Sequence, residues 1–144
     1  MMFRSVNALD YVTAQPVLVK ANANIFSVIH ELIVHKVSGA TVVDDDNNVV
    51  GIISEFDCLK AILDGSYYNE VNGTAADFMT TEVESLPPHV DIIEVAKRML
   101  ETKRRRMPIV DNGKFVGQIS VRSILLAVKN FDVPIDKTEK KYDE

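Results

Sequence analysis

Apolar residues recur at helical spacing in two separate stretches of the chain. The first stretch has five of them at i, i+3, i+4, i+7 and i+8: Ile25, Val28, Ile29, Leu32 and Ile33. The second stretch has the same spacing: Ile92, Val95, Ala96, Met99 and Leu100. Asn24 and Asp91 stand one residue before these stretches, where a side-chain oxygen commonly caps a helix. The pattern therefore predicts two amphipathic helices that begin at Ile25 and Ile92.

Short apolar runs before and after each predicted helix predict strands. The runs "VLVK" and "VESL" precede the helices. Two runs follow each helix, "ATVVD" and "VVGIIS" in the first case and "MPIVD" and "FVGQIS" in the second. Asp, Asn and Gly residues separate the members of each pair, as in tight β-hairpins. A closing helix is predicted from "EFDCLKAIL" and from "VRSILLAV".

These two series of elements form an internal repeat. Val43 and Val110 are equivalent and lie 67 positions apart, and the same offset holds without a gap back to Tyr11. The hairpin turn is one residue longer in the first copy, and after it Gly51 is equivalent to Gly117. Each copy reads strand-helix-strand-strand-helix, which predicts an α/β fold of the α+β kind. Neither copy can bury both faces of so small a sheet, so we expect the two to pack together.

The repeat also sets the expected domain boundaries. We expect a first copy at residues 7–66, a polar linker at 67–73 and a second copy at 74–130. Residues 131–144 are rich in charge and contain Pro134, so we expect a flexible tail there.

Composition and charge narrow the class of protein. Of the 144 residues, 47% are hydrophobic and 26% are charged, which is typical of a globular protein. The formal net charge of -5 argues against nucleic acid and anionic membranes as partners. The N-terminus lacks a signal-peptide pattern, and no apolar run approaches the ~20 residues of a membrane span. The single cysteine, Cys58, excludes an intrachain disulfide, so we expect a cytoplasmic location and a buried thiol.

Residue patterns of enzymes and metal sites are not found. His30 and His35 are five positions apart, which is not the spacing of two ligands on one helix face. The turn Asp44-Asp45-Asp46 lacks the glycine and the terminal glutamate of a calcium loop. Neither a P-loop nor a nucleophile elbow occurs. We therefore predict no catalytic residue, no metal site and no enzyme activity.

The stretch "GIISEFD", Gly51 to Asp57, is the strongest candidate for binding chemistry. Ser54 ends a predicted strand and Asp57 falls in the first turn of the next helix, where free backbone N–H groups favour anions. Ser54 could therefore contact a phosphate, and the carboxylate of Asp57 could accept hydrogen bonds from the two hydroxyls of a ribose. The alternative interpretation is that both side chains only cap the helix.

Two stretches carry a resemblance to a known family: "VSGATVVDDDNNVVGIISEFDCLKAI" and "RRRMPIVDNGKFVGQISVRSILLAV". Together they resemble a tandem pair of CBS domains, the Bateman module, over about residues 7–130. The resemblance implies two βαββα repeats related by a pseudo-twofold axis. It implies binding of AMP, ADP or ATP, or of S-adenosylmethionine or NAD, in two clefts between the repeats. It also implies a regulatory role and a homodimer.

The resemblance assigns a main cleft residue by residue. Asp57 matches the aspartate that holds ribose, Ser54 the residue near phosphate, and Ile52 the residue beside adenine. The second repeat is expected to complete this cleft with Met79, Thr80, Glu84, Arg105 and Arg106. The two arginines match positions at which several family members use basic residues to hold phosphate, and a guanidinium group suits that role.

A second cleft is implied by the same symmetry, but its sequence departs from the family pattern. The first repeat would contribute Val12, Thr13, Val17, Ser38, Gly39 and Ala40, and the second Gln118, Ser120, Arg122 and Ser123. Ser123 replaces the expected aspartate, and Gln118 replaces an apolar residue. We therefore expect this cleft to bind weakly, selectively or not at all.

The leading hypothesis is a regulatory CBS pair that binds an adenine nucleotide and signals to an unknown partner protein. A structural dimerisation module with no bound nucleotide is the main alternative, and a sensor of S-adenosylmethionine or NAD is another. An enzyme is disfavoured because no catalytic set is present. A DNA-binding regulator would need a basic surface or a further domain.

Overall fold

The structure of the chain, a computed structural model, describes residues 5–67 and 72–132. A 3-10 helix at Ala8–Tyr11 comes first. Five strands and five helices follow in the order β1 Leu18–Lys20, α1 Ile25–Val34, β2 Gly39–Val43, β3 Val49–Ser54, α2 Glu55–Tyr67, α3 Ala75–Phe78, α4 Ile92–Thr102, β4 Arg106–Asp111, β5 Lys114–Ser120 and α5 Val121–Asp132. The predicted α/β fold with two repeats of strands and helices is confirmed.

The chain divides into two compact units whose boundaries differ from those of the sequence repeat. One unit, here called the Asp57 unit, contains residues 17–84 and 112–115. The other, here called the Ser123 unit, contains residues 85–111, the described N-terminal residues up to 16, and the described residues from 116 onwards. The segment that leads into each repeat therefore packs with the strands of the other repeat.

The Asp57 unit is built on a three-stranded sheet in the order β1-β2-β3. β1 runs parallel to β2, and β2 pairs antiparallel with β3 so that Gly39 lies opposite Ser54. The predicted stripe of α1 supplies Ile25, Val28 and Leu32 to a buried apolar cluster. Cys58 is buried in the same cluster, as expected. Burial is the main cause of a raised pKa of its thiol, and the neighbouring Asp57 and Glu55 carboxylates add to it.

The Ser123 unit has a two-stranded sheet, β4 and β5, that packs with α4 and α5. Its buried cluster includes Ile92, Val95 and Met99 from the predicted stripe. The prediction of a strand at "VESL" is wrong, since only Leu86 forms a bridge, parallel to Ile109. At this bridge Leu86 N donates to the Pro108 carbonyl and Val110 N donates to the Leu86 carbonyl, both at 2.9 Å. The Leu86 side chain is buried in the apolar cluster of the unit.

Both predicted helix caps are present. The Asn24 side chain accepts a hydrogen bond from Phe26 N at 2.8 Å, and Asp91 accepts one from Ile93 N at 2.7 Å. α1 ends at Val34, and His35 is its C-terminal cap.

Two predicted segments fall largely beyond the described residues. α2 ends at Tyr67, and residues 68–71 of the predicted linker are not described. α5 continues to Asp132, two residues into the predicted tail, and the rest of that tail is not described. Within the described ranges, no helix is both long enough and apolar enough to cross a bilayer.

Candidate functional site

The start of α2 is closed by a reciprocal pair of hydrogen bonds. Ser54 N donates to Oδ2 of Asp57 at 2.8 Å, and Asp57 N donates to the Ser54 hydroxyl oxygen at 3.2 Å. This arrangement is a capping box, so both residues do cap the helix. It does not exhaust their hydrogen-bonding capacity.

Two groups at this helix start have capacity left. Among the described residues, Oδ1 of Asp57 accepts no hydrogen bond and the Ser54 hydroxyl donates none. Both side chains are half-buried. An ionised carboxylate has about four lone-pair sites, so Asp57 can cap the helix and still accept from two further hydroxyls. The Ser54 hydroxyl can donate to an anion at a helix end that already favours negative charge.

The outer edge of β3 is covered by the segment that follows α3. Ile52 and Thr80 exchange two backbone hydrogen bonds, 2.9 Å from Ile52 N and 2.8 Å from Thr80 N. Gly51 is required at this edge, because a Cβ there would lie 2.5 Å from Sδ of Met79 and 2.9 Å from the carbonyl oxygen of Thr80. The Asp57 unit thus brings together five of the residues predicted for the main cleft: Ile52, Ser54, Asp57, Met79 and Thr80.

The remaining three residues predicted for the main cleft are Glu84, Arg105 and Arg106. Glu84 is half-buried and belongs to the Asp57 unit. Arg105 and Arg106 belong to the Ser123 unit, where the Arg105 carbonyl accepts a hydrogen bond from Val121 N at 2.9 Å. The prediction that these two arginines serve the same ligand as Asp57 therefore stays a prediction.

The start of α5 has the same backbone arrangement as the start of α2. Ser120 N donates to the Ser123 hydroxyl oxygen at 2.9 Å, and Ser123 N donates to the Ser120 hydroxyl oxygen at 2.8 Å. The Ser123 hydroxyl in turn donates to the Ser120 carbonyl at 2.9 Å, and its residue is only 4% exposed. Its one proton and one of its lone pairs are used within the helix turn. Ser123 in this state has no proton to give a ligand and offers no charge.

The segment beside β5 mirrors the segment beside β3. Thr13 N donates to the Gln118 carbonyl at 2.7 Å, and Val12 bridges to Ile119. The Gln118 side chain is buried, whereas Arg122 is exposed. Val12, Thr13, Gln118, Ser120, Arg122 and Ser123 thus share the Ser123 unit, as the predicted second cleft requires.

The other residues predicted for the second cleft lie in the Asp57 unit: Val17, Ser38, Gly39 and Ala40. Ala40 is buried in the apolar cluster of that unit, and Ser38 accepts a hydrogen bond from Glu55 N at 2.9 Å. Sequence reasoning missed this position of Ser38 beside the start of α2. The signal was available, because antiparallel pairing brings the first residues of one hairpin strand next to the last residues of the other.

Local hydrogen bonds hold the Asp44 carboxylate at the tip of the β2–β3 hairpin. Asp44 accepts hydrogen bonds from the side chain and backbone of Asn48, at 3.0 and 2.8 Å, and from Asp46 N. These bonds, led by the one from the Asn48 side chain, hold the pKa of the Asp44 carboxyl below its usual range. The described residues contain no cluster of three or more potential metal ligands.

Comparison with known proteins finds relatives in sequence and in structure. Over 104 residues the chain is 34% identical to an uncharacterised protein, MJ1225, of Methanocaldococcus jannaschii, covering 72% of this chain and 36% of that protein. The chain thus spans about a third of that relative. The structure of CBSX2 in complex with AMP, a protein of Arabidopsis thaliana, is 25% identical, with a TM-score of 0.74 over 88% of this chain and 98% of the other.

A further solved structure is the CBS domain pair of protein MJ0100 in complex with 5′-methylthioadenosine and S-adenosyl-L-methionine. It is 25% identical, with a TM-score of 0.65 over 83% of this chain and 97% of that one. The family profile of the CBS domain matches this chain twice, at residues 8–64 and 75–130. With two matches that cover most of its length, in the order and positions of the internal repeat, this chain belongs to the CBS domain family.

Proposed function

We propose that this chain binds an adenosine-containing ligand at the start of α2 and that binding regulates a partner protein. The observation that carries the proposal is the half-buried carboxylate of Asp57, whose Oδ1 atom is uncommitted among the described residues beside the undonated Ser54 hydroxyl. Two solved relatives, each 25% identical, are complexes with adenosine compounds. They support the ligand class and leave its identity open.

Each group at the site would take one part of such a ligand. The Asp57 carboxylate would accept hydrogen bonds from the ribose hydroxyls, which are charge-assisted and therefore stronger than neutral ones. The Ser54 hydroxyl and the N-terminus of α2 would favour the phosphate. Ile52, half-buried on β3, would contact the adenine ring.

AMP, ADP or ATP is our preferred ligand, because the only cations predicted for the main cleft, Arg105 and Arg106, match phosphate-binding positions of the family. S-adenosylmethionine and NAD are the alternatives. Regulation would follow if the ligand binds one conformation of the chain more tightly than another, which shifts their populations. We also propose a homodimer, a cytoplasmic location in keeping with a single buried cysteine, and no catalytic activity of the chain itself.

Thermal unfolding in the presence of adenosine, AMP, ADP, ATP, S-adenosylmethionine and NAD tests the ligand proposal. A ligand present at 100 times its dissociation constant stabilises the folded state by about 2.7 kcal/mol. At least one of these compounds should raise the transition temperature and bind by calorimetry. If none does, the chain is a structural module and the proposal is wrong.

Asp57→Asn then tests the assigned residue. The asparagine keeps an oxygen that can accept from Ser54 N but lacks the charge, and we expect binding of every adenosine ligand to weaken by roughly 10- to 100-fold. Asp77→Asn is the matched control, because Asp77 caps α3 in the same unit with an equivalent hydrogen bond from Thr74 N at 2.8 Å. The control should lose similar capping stability and keep its affinity for the ligand.

Arg106→Ala tests the phosphate assignment separately. We expect its effect to grow with phosphate charge, from little for adenosine to most for ATP. Equal losses for adenosine and ATP would exclude a phosphate contact and would leave the role of Asp57 intact.

A further inference from the structure

Asparagine is followed by glycine at two places in the chain, Asn72-Gly73 and Asn112-Gly113. Because glycine has no Cβ, its backbone nitrogen is sterically open and its backbone is free to rearrange. That nitrogen can attack the side-chain carboxamide of the preceding asparagine, so each pair is chemically able to deamidate without an enzyme. Both asparagines are exposed, so exposure alone does not distinguish them.

The side chain of Asn72 is folded back onto the nitrogen that would attack it. Gly73 N donates to Oδ1 of Asn72 at 2.9 Å, so this nitrogen lies beside the carboxamide carbon that bears the oxygen. Ring closure requires these two groups to meet, and a conformation that already brings them together removes part of its entropic cost. Both residues line an open groove at the surface, where water reaches them.

The fold requires glycine at position 73. Its φ of +122° lies in a region that other residues rarely adopt, and a Cβ there would lie 2.7 Å from Cε2 of Phe78. The Gly73 carbonyl accepts a hydrogen bond from Ile25 N at 3.1 Å. The residue that leaves the attacking nitrogen open is therefore held in place by the structure of the turn.

Asn112 lies in a setting that opposes the same reaction. Asn112 and Gly113, with φ of +50° and +82°, form the two-residue turn between β4 and β5. The Gly113 carbonyl accepts a hydrogen bond from Val49 N at 2.8 Å, and Phe115 N donates to the Asn47 carbonyl at 3.0 Å. These bonds fix the backbone on both sides of the turn, so the turn must open before Asn112 can close a ring.

We propose that Asn72 is a site of spontaneous deamidation in the folded chain and that the fold protects Asn112. The Gly73 amide gives its proton to hydroxide, and its nitrogen bonds to Cγ of Asn72. The carboxamide nitrogen takes a proton from water and leaves as ammonia. Water then opens the five-membered imide. Addition of water at Cγ gives aspartate, and addition at the main-chain carbonyl gives isoaspartate, whose backbone runs through the former side chain.

The isoaspartyl product changes the backbone at two helix starts. It adds one methylene group directly before Gly73, whose carbonyl holds Ile25 N at the start of α1. At the next residue, Thr74 N donates to Asp77 at the start of α3. We therefore expect the isoaspartyl chain to unfold at a lower temperature than the unmodified chain. Asn72→Asp adds the same charge on an ordinary backbone, and α1 has no acidic residue in its first turn, so this variant should not lose stability.

Peptide mass mapping of the full chain, aged in mildly alkaline buffer, measures both pairs in one sample. We expect deamidation to be at least about tenfold faster at Asn72 than at Asn112. Isoaspartyl methyltransferase should label the product at position 72, and the rate should rise with pH. Asn72→Gln should abolish most of the reaction, because its longer side chain would need a larger ring. Asn112→Gln is the matched control and should leave the rate at Asn72 unchanged.

The chain unfolded in denaturant supplies the reference rates. There the two pairs should react within about threefold of each other, because they share the same dipeptide and neither is held by a fold. In native buffer Asn72 should keep more than about a tenth of its unfolded rate, and Asn112 should not.

Two results would overturn the site. Asn112 could deamidate within tenfold of Asn72 in native buffer, or the fold could slow Asn72 by tenfold or more. Equal losses of melting temperature in the isoaspartyl chain and in Asn72→Asp would overturn the effect assigned to the backbone.

Discussion

The starts of α2 and α5 share a backbone and differ in what their side chains can offer. In each, a serine at the strand end and a residue three positions later exchange hydrogen bonds. The third residue is Asp57 in one case and Ser123 in the other. Asp57 closes its turn with one oxygen and keeps another, whereas the Ser123 hydroxyl is used as both donor and acceptor. Among the described residues, the duplicated scaffold thus leaves an uncommitted carboxylate oxygen at the start of α2 and no carboxylate at the start of α5.

The comparison extends to the strands before these helices. Ile52 is bonded to Thr80, and Thr13 is bonded to Gln118, so each edge is covered by a segment from the other repeat. The two edges are not equally tight. At Gly51 a side chain would meet the backbone of Thr80, while at Gly117 it would meet only a methyl group of Val12.

The largest expected effect tests whether the two scaffolds are equivalent. Ile53 and Ile119 occupy equivalent positions, and each is fully buried. We expect Ile53→Ala and Ile119→Ala each to lower the free energy of unfolding by about 2–5 kcal/mol, through lost burial and a new cavity. Denaturant unfolding measures both. A difference of more than about 2 kcal/mol between the two losses would show that the cores of the two repeats are not equivalent.

The next largest effect is expected from replacing the equivalent glycines Gly51 and Gly117. Gly51→Ala should lower the free energy of unfolding by about 1–3 kcal/mol, because the backbone at Thr80 must move. Gly117→Ala should cost less than about 1 kcal/mol, since Val12 lies at the surface and can adjust. Equal losses on denaturant unfolding would show that the two edges are packed alike.

Replacing either capping serine should lower the free energy of unfolding by a similar amount. Ser54→Ala and Ser120→Ala each remove the acceptor of one helix N-terminal N–H group, which costs about 1 kcal/mol. Their ligand responses should separate them, because only Ser54 stands beside a carboxylate. If Ser120→Ala weakened ligand binding as much as Ser54→Ala, the Ser123 unit would hold a ligand after all.

The smallest expected effect is the pH dependence of stability that arises from Asp44 at the tip of the β2–β3 hairpin. The pKa of Asp44 is lowered in the folded chain, so its hydrogen bonds contribute stability above the pKa of the unfolded chain. That contribution is lost as the pH falls through the lower folded value. Asn48→Ala should raise the Asp44 pKa towards its usual value, as followed by an NMR titration of the carboxyl carbon. An unchanged pKa would mean that Asn48 is not its main cause.

Periodicity and capping residues were enough to predict most elements from the sequence. Asn24 and Asp91 marked two helix starts. The apolar stripes identified most of the buried faces of α1 and α4, but their last members, Ile33 and Leu100, are exposed. The strand expected at "VESL" is absent, because only its last residue, Leu86, pairs with β4. The candidate site was predictable in part, since Ser54 and Asp57 are local in sequence, and the position of Ser38 was not recognised.

The sequence by itself determined the repeat, the class of fold and the difference between Asp57 and Ser123, because spacing and residue type are local properties. Only the tertiary structure decided which segments cover which strand edges, and that Thr80 closes the edge at Ile52. It also decided which hydrogen bonds the Ser54 and Ser123 hydroxyls and the Asp57 carboxylate form. The edge pairings join donors and acceptors from distant parts of the chain, and the hydrogen bonds at the helix starts depend on side-chain rotamers, so a pattern along one dimension contains neither.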